Sequence, residues 1–570
     1  MIIKLKSYCL NILLSAFFVF SLFSGCSGGK YFKAPDSVPS DMKHVSEPKA
    51  GYINIPADIF DRQFMEQVEQ SLDLSRQFRN ITGKKKQALN ANAFDEVDNS
   101  SWYINRNFME EMSLEEIGRG PNQGAVPDTA GPWIIIGAKT EGVTPGFRVK
   151  DSKGTRFLLK FDPPGYSEMA TGAEVVSTKL FHAAGYNVPQ NYIVYFDPSI
   201  LKIGQNVTIT DAKGGKRAMT EADLDQILGR IEIQPDGRIR AAASKFIEGK
   251  LKGPFKYEGI RGDDFNDFIP HQHRRELRGL RVIASWLNHF DTKANNTLDV
   301  YVEEGYIKHY LIDFGSTLGS NGDEPMPPLI GHENNFDPHE VGLNFLSLGL
   351  YVRPYLKNWN VKYSSVGYFE SSLFEPQDYK FIQPNPAFEL MTSRDGYWGA
   401  KIVMSFSDDQ IRAAIAEGQY SNPDAADYLF RVIKERRDKI GQHWFQKMNP
   451  LDKFELRETE YGSQDLCFTD LAVAFGLELE ENRKYRYWLM HNGDVIPPVR
   501  ELEGVTCLQL TEISAPSVRE SRNTYGKDQW AVALETQLSQ GKGWSKRLKV
   551  YLSYDWETEK HEIIGIEREE

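Results

Sequence analysis

The sequence predicts a mixed α+β chain of several domains, and three observations carry that reading. Its 570 residues are too many for one compact core at about 150 residues per domain. From Trp133 onward, strand-like and helix-like runs follow one another without an internal repeat. From about Lys453, short apolar runs separated by polar turns take over. Hydrophobic residues at 41% and charged residues at 26% are those of folded protein. A formal net charge of −12 offers no attraction to phosphate backbones, which excludes a nucleic-acid partner. A mean hydropathy of −0.47 excludes a protein that crosses a membrane many times.

Lys4 and Lys6 precede an apolar run over residues 10–23, followed by Ser24-Gly25-Cys26. A basic start, a short apolar stretch and small residues at the cut describe an export signal; the stretch is shorter than the ~20 residues of a membrane span. Leu22-Phe23-Ser24-Gly25-Cys26 resembles a bacterial lipobox. That resemblance implies a signal peptide over 1–25 and acylation (diacylglycerol, palmitate-type chains) of Cys26. It further implies a membrane-lipid anchor in the bacterial cell envelope, at the outer membrane or cell surface rather than the inner membrane. With Cys9 in the signal and Cys26 acylated, Cys467 and Cys507 remain; they could form one disulfide or stay as two reduced, buried thiols. Residues 26–130 are expected to be a tether and N-terminal extension. The tether covers 27–50, rich in Ser, Pro, Lys and Gly; a helix follows over 56–89 on Phe60, Phe64, Val68 and Leu72, and loops over 90–130.

Trp133-Ile134-Ile135-Ile136 predicts a first strand and residues 146–150 a second, with Gly137, Gly142 and Gly146 spread through the loop between them. Asp151-Ser152-Lys153-Gly154 is a turn, because Asp caps it locally and Gly accepts positive φ. Over 156–161, Phe157, Leu159 and Phe161 point one way and Leu158 and Lys160 the other. A helix over 167–184 carries Met169, Ala173, Val176, Leu180 and Ala183 on one face, with Glu174 at its border and Gly185 as its stop. Residues 192–195 form a strand, a polar insertion follows, and Lys245-Phe246-Ile247-Glu248-Gly249 runs from strand into connector. A second helix, over 273–288, turns Leu277, Leu280, Ala284 and Leu287 inward and leaves Arg274, Arg275 and Arg278 as a solvated basic face. His271 and His273 are expected at the surface. The helix delivers His289-Phe290-Asp291-Thr292-Lys293-Ala294-Asn295-Asn296, with His289 orienting that loop. A hairpin around Glu303-Glu304-Gly305 ends in Asp313-Phe314-Gly315.

Phosphoryl transfer from ATP needs a backbone cradle, a cation on the phosphates, a metal held by oxygen ligands and a carboxylate at the nucleophile. The glycines at 137, 142 and 146 offer the cradle. Lys160 supplies the cation, with Glu174 or its neighbour Glu168 as ion-pair partner. Asp291 is the candidate base and Lys293 a second phosphate cation. Asn296 and Asp313 are the hard oxygen ligands that suit Mg²⁺, which takes few protein ligands.

Together these residues resemble the protein-kinase-like fold, in which Asp-x-Lys-x-x-Asn is the catalytic loop and Asp-Phe-Gly the metal motif. The texture is closer to the atypical HipA-type, CotH-type and secretory-pathway branches. The resemblance implies a two-lobed domain over 131–450, with Ile247 and Glu248 at the nucleotide-binding hinge and ATP and Mg²⁺ as cofactors. Phe290 stands where the family carries arginine, and no Ala-Pro-Glu follows Asp313. The expected whole is an α+β protein with an N-terminal extension, the kinase-like domain and a β-sandwich over 451–570. The expected activity is transfer of the ATP γ-phosphate to a hydroxyl, with a protein acceptor favoured. The alternative is an inactive pseudokinase serving as an envelope scaffold.

Overall fold

Six strands pair into one mixed sheet: β1 (Trp133–Lys139), β2 (Gly146–Lys150), β3 (Arg156–Phe161), β4 (Asn191–Phe196), β5 (Leu201–Ile203) and β8 (Ile239–Lys245). Their order is β4-β8-β3-β2-β1-β5, with β5 parallel to β1 at the edge. The computed structural model describes residues 32–65, 72–82, 85–124, 126–139, 146–210, 215–460, 462–510, 529–538, 543–555 and 560–570. Cys26, the signal segment and Gly142 lie outside them. Between β5 and β8, the predicted polar insertion folds into a hairpin, β6 (Thr208–Thr210) with β7 (Lys216–Ala218), and the helix Glu221–Leu228.

Alternation decides the faces of this sheet. Trp133, Ile135, Phe147, Val149, Phe157, Leu159 and Phe161 form one cluster, each no more than 1% exposed. The opposite face receives helix α1 (Met169–Ala183), whose Val175 packs on Ile193 and Ala242. Another side of α1, with Ala173, Val176 and Leu180, joins the main helical core. That core holds α2 (Arg275–Trp286), α3 (Ser393–Met404), α4 (Asp408–Ala416) and α5 (Pro423–Lys447). Helices α2 and α3 approach closely because each has a glycine at the crossing. A Cβ on Gly279 would lie 2.5 Å from Trp398, and one on Gly399 would lie 2.8 Å from the Gly279 carbonyl.

A three-stranded sheet joins these parts: β9 (Lys250–Gly253), β10 (Thr297–Tyr301) and β11 (Ile307–Leu311), in the order β11-β10-β9. The link from β8 to β9 is only Phe246–Gly249 long. Gly249 needs its positive φ of 122°, and a Cβ there would lie 2.6 Å from Val300.

Four expectations are corrected here. Gly137 is not in a loop: antiparallel pairing with β2 extends β1 to Lys139 and sets Gly137 opposite Arg148 at a register shift. The described part of the tether is no tether, because it is pinned at several points. Phe32 stacks on Tyr551, the Val45 N–H donates to the Gly305 carbonyl, and Glu47 pairs with Lys252 at 2.6 Å. The basic face of α2 is not solvated. Arg274, Arg275 and Arg278 are at most 2% exposed, and Arg275 and Arg278 share Asp395 at 3.2 Å each. His271 and His273 are buried beside them, His271 bonded to Asp267 at 2.7 Å. The carboxylates that draw Arg275 and Arg278 inward, Asp95 and Asp395, come from segments more than a hundred residues away, invisible to local pattern.

After α5, two further sheets share one apolar cluster. The first is β12 (Leu451–Glu458), β13 (Gln464–Asp470) and β16 (Cys507–Gln509). The second is β14 (Lys484–His491), β15 (Asp494–Glu503), β17 (Gln529–Thr536), β18 (Leu548–Asp555) and β19 (Lys560–Arg568), ordered β15-β14-β17-β18-β19. Cys467 and Cys507 are register partners on β13 and β16 and form a disulfide. The bond closes a 40-residue separation, for which loop-closure entropy gives about 4 kcal/mol as an upper figure. Replacing both cysteines by serine is expected to cost about 2–4 kcal/mol. Denaturant melting of the two forms checks this; equal midpoints would contradict it.

Candidate active site

Lys160 lies on the α1 face of β3, and its cross-strand partners are the two smallest side chains available, Gly146 on β2 and Ala242 on β8. That leaves room for the long side chain to rise off the sheet. Its ammonium donates to Glu174 Oε2 and to Asp313 Oδ1, each at 2.8 Å. Glu174, 1% exposed, stands on α1 and accepts at Oε1 from Asn191 Nδ2 at 3.0 Å. Glu168, the other sequence candidate, instead accepts the Ser421 backbone N–H. Burial pushes the Lys160 pKa down, but Asp313 and then Glu174 outweigh it and hold the ammonium above an ordinary lysine. Lys160 is therefore a fixed cation.

Asp313 follows β11 with a left-handed φ of 69°, strained for a residue with a Cβ. The neighbouring contacts hold it there. Phe314 is fully buried, stacked on Phe181 of α1 at 4.8 Å. Thr317 Oγ1 bonds Ser177 Oγ at 2.7 Å, and Leu318 N–H donates to the Leu287 carbonyl at the end of α2. The Asp-Phe-Gly segment is thus clamped between both helices.

The loop after α2 brings Asp291, Lys293 and Asn296 together. Asn296 Nδ2 donates to the Asp291 carbonyl at 2.8 Å and to its Oδ2 at 3.0 Å, and Lys293 Nζ pairs with Oδ2 at 2.9 Å. With its amide nitrogen committed, Asn296 has Oδ1 as the atom that suits a hard cation. Ile312 N–H donates to the Asn296 carbonyl at 3.0 Å, so the residue before Asp313 is one hydrogen bond from this loop. Asn385 Nδ2 holds the Thr292 carbonyl at 3.2 Å, and Tyr379 donates to Asn288 Oδ1 at 2.8 Å. Phe290 is buried with Met326 and Tyr368. This apolar contact ties the loop after α2 to the chain beyond Asp313.

His289 is 3% exposed, between Phe181 and Phe314. Burial lowers its pKa to about 4, against the opposing pull of Asp291 and Asp313. Its unfolded value of about 6.5 is higher, so the unfolded chain binds more protons between these limits. His289's contribution to stability is therefore complete above about pH 6.5 and is lost as pH falls toward 4, by up to about 1.4 kcal/mol per pH unit. His289→Gln is expected to flatten that part of the stability profile, as denaturant midpoints from pH 4 to 7 would show; an unchanged slope would contradict it.

Gly146 adjoins Lys160 as a spacer in β2, whereas Gly137 faces Arg148. Ile247 and Glu248 occupy the β8–β9 link and line a different cavity; Glu248 pairs with Lys245 at 2.9 Å. Pattern reading missed Asn191, Asn385 and Tyr379, which have no motif and meet the site only through tertiary contact. Among the described residues no group of three or more His, Cys, Asp or Glu could hold a metal ion. The donor set that fits is the smaller pair of Asn296 and Asp313, which suits Mg²⁺ because phosphate and water complete its shell.

No protein-family model matches the sequence, and no curated protein matches it. Among solved structures the chain is similar to the Helicobacter pylori proinflammatory kinase CtkA, with 12% identity and a TM-score of 0.31 over 56% of this chain and 99% of that one. It is also similar to the golgi casein kinase, with 10% identity and a TM-score of 0.25 over 72% of this chain and 94% of that one. Likenesses this loose assign nothing; the side chains around Lys160 carry the reading below.

Proposed function

We propose that the chain is a two-lobed, protein-kinase-like phosphotransferase that moves the γ-phosphoryl group of ATP to a hydroxyl, with a protein as the favoured acceptor. One observation supports this most. Lys160 bridges Glu174, 14 residues on, and Asp313, 153 residues on, beside the Asp291–Lys293–Asn296 loop. A merely structural lysine has no need of a second carboxylate held by strained backbone.

In this reading MgATP, when bound, supplies the phosphoryl donor and the divalent charge. Asn296 and Asp313 would hold the metal, and Lys160 and Lys293 would neutralise phosphate oxygens. Glu174 positions Lys160. Asp291 accepts the proton of the acceptor hydroxyl as its oxygen bonds phosphorus and the bond to the bridging oxygen breaks.

The same proposal places the protein outside the cytoplasm, anchored by acyl chains on Cys26. The Cys467–Cys507 bond supports export, since such bonds persist in oxidising compartments. Among the described residues no helix is long and apolar enough to cross a membrane. The two C-terminal sheets around one core support the β-sandwich reading of residues 451–570. Incubation of the full chain with Mg²⁺ and ATP labelled at the γ-phosphate tests the activity, with label appearing on the chain itself or on an added envelope protein. Nucleotide binding without any transfer would favour the scaffold reading instead.

A further inference from the structure

On the outer side of the Phe246–Gly249 link lies a cavity of about 400 Å³ lined by Arg106, His182, Gln190, Lys245, Lys308 and Tyr310, among others. Its walls come from five parts of the chain: the N-terminal extension, the end of α1, residues 187–190 before β4, the stretch from the end of β8 into the link, and β11. The chemistry of the lining is one-sided. In a chain of net charge −12, three lysine or arginine side chains and an imidazole meet here, and the lining holds one carboxylate, Glu248, which is paired with Lys245.

Arg106 and Lys308 form no ion pair among the described residues. One nitrogen of Arg106, Nη1, donates to the carbonyls of His182 and Tyr186 at 2.7 and 3.2 Å. Those bonds hold the guanidinium at the C-terminal end of α1 without pairing it with a carboxylate. Lys308 has the Tyr310 ring at 5.7 Å as its neighbour. The His182 imidazole has no hydrogen-bond partner among the described residues. Burial, and then Arg106, Lys179, Lys308 and Arg119, lower its pKa to about 3. Four cations thus act on one neutral ring. Lys308 is lowered too, by burial and then by Arg106, with Glu304 opposing them. Arg106 also serves the end of α1 through its carbonyl bonds, but the repulsion among these cations and the imidazole would be relieved by an anion.

We propose that this cavity binds a small phosphorylated anion, held by Arg106 and Lys308 with His182 as a third donor. A guanidinium and an ammonium converging on a concave site of this size suit phosphate oxygens. Because the lining includes Lys245, Phe246, Ile247 and Glu248, an occupant touches the link between the six-stranded sheet and the rest of the chain. The site is separate from the Lys160 cluster and does not depend on the activity proposed above.

Calorimetric titration of the full chain with inorganic tripolyphosphate, without magnesium or nucleotide, tests it. The expected result is saturable binding that Lys308→Glu weakens at least tenfold and that Arg106→Gln also weakens. The thermal midpoint should shift little in Lys308→Glu, because Lys308 forms no ion pair among the described residues and only the longer-range attraction of Glu304 is lost. Lys160→Met should bind like wild type, which separates this cavity from the candidate nucleotide site. Nuclear magnetic resonance of the histidine signals should show His182, assigned by its loss in His182→Gln, titrating at higher pH with the anion present. Absence of binding, binding undiminished in Lys308→Glu, or binding lost in Lys160→Met would each overturn the proposal.

Discussion

Asp291→Asn is expected to slow phosphoryl transfer by about two to four orders of magnitude, the range set by loss of a general base. The substitution keeps the shape of the side chain and an oxygen able to accept from Asn296 and Lys293, so the loop should hold its fold. What it removes is the carboxylate proposed to take the hydroxyl proton. The nucleotide contacts assigned to Lys160, Asn296 and Asp313 are untouched, so binding of MgATP should persist within a few-fold. Single-turnover transfer from labelled ATP and calorimetric binding, run on the same preparation, separate the two effects. Transfer at the wild-type rate would remove Asp291 from the mechanism.

The largest stability effect is expected at Asp395→Ala, on helix α3. This carboxylate is fully buried and faces Arg275 and Arg278, both buried, at 3.2 Å each. It also closes the N-terminal cap of its own helix by accepting from Thr392. Truncation leaves two buried guanidinium groups without their shared counter-charge, a change that costs about 3–5 kcal/mol. Asp95, bonded to Arg275 and Arg394, offsets part of this, because these cations and Arg568 hold its carboxyl below the usual range despite burial. Denaturant melting should show a lower midpoint with the slope kept. A change below about 1 kcal/mol would mean that the network is better solvated than its burial implies.

Much of the site was legible because its residues lie where strand and helix periodicity turn over. Lys160 falls on the polar side of an alternating strand, and Asp291, Lys293 and Asn296 follow directly on a helix whose apolar stripe ends there. Asp313 terminates a hairpin announced by Glu303-Glu304-Gly305. The choice of Glu174 over Glu168 was open in the sequence, since both lie on the same stretch. Geometry separates them, as Glu168 turns to Ser421.

What stayed hidden depended on contacts between distant segments. The arginines of α2 read as a solvated face because Asp95 and Asp395 are far away in the chain. Residues 32–50, the described part of 27–50, read as a tether because their composition is polar, yet their partners at Lys252, Gly305 and Tyr551 fix them in place. Strand β15 carries Pro497 and Pro498, which argue against a strand. It is tolerated because it lies at the sheet edge, paired only with β14. The short helix Leu114–Arg119 could have been found, since Ser113 and Glu116 form the capping box that its sequence spells.

The most direct test is calorimetric titration of the full chain with MgATP, in wild type and in Asp313→Asn. If Lys160, Asn296 and Asp313 surround one magnesium-nucleotide pocket, wild type binds only when Mg²⁺ is present, and the variant loses that dependence along with most of its affinity. Equal, magnesium-dependent binding by both forms would contradict the account.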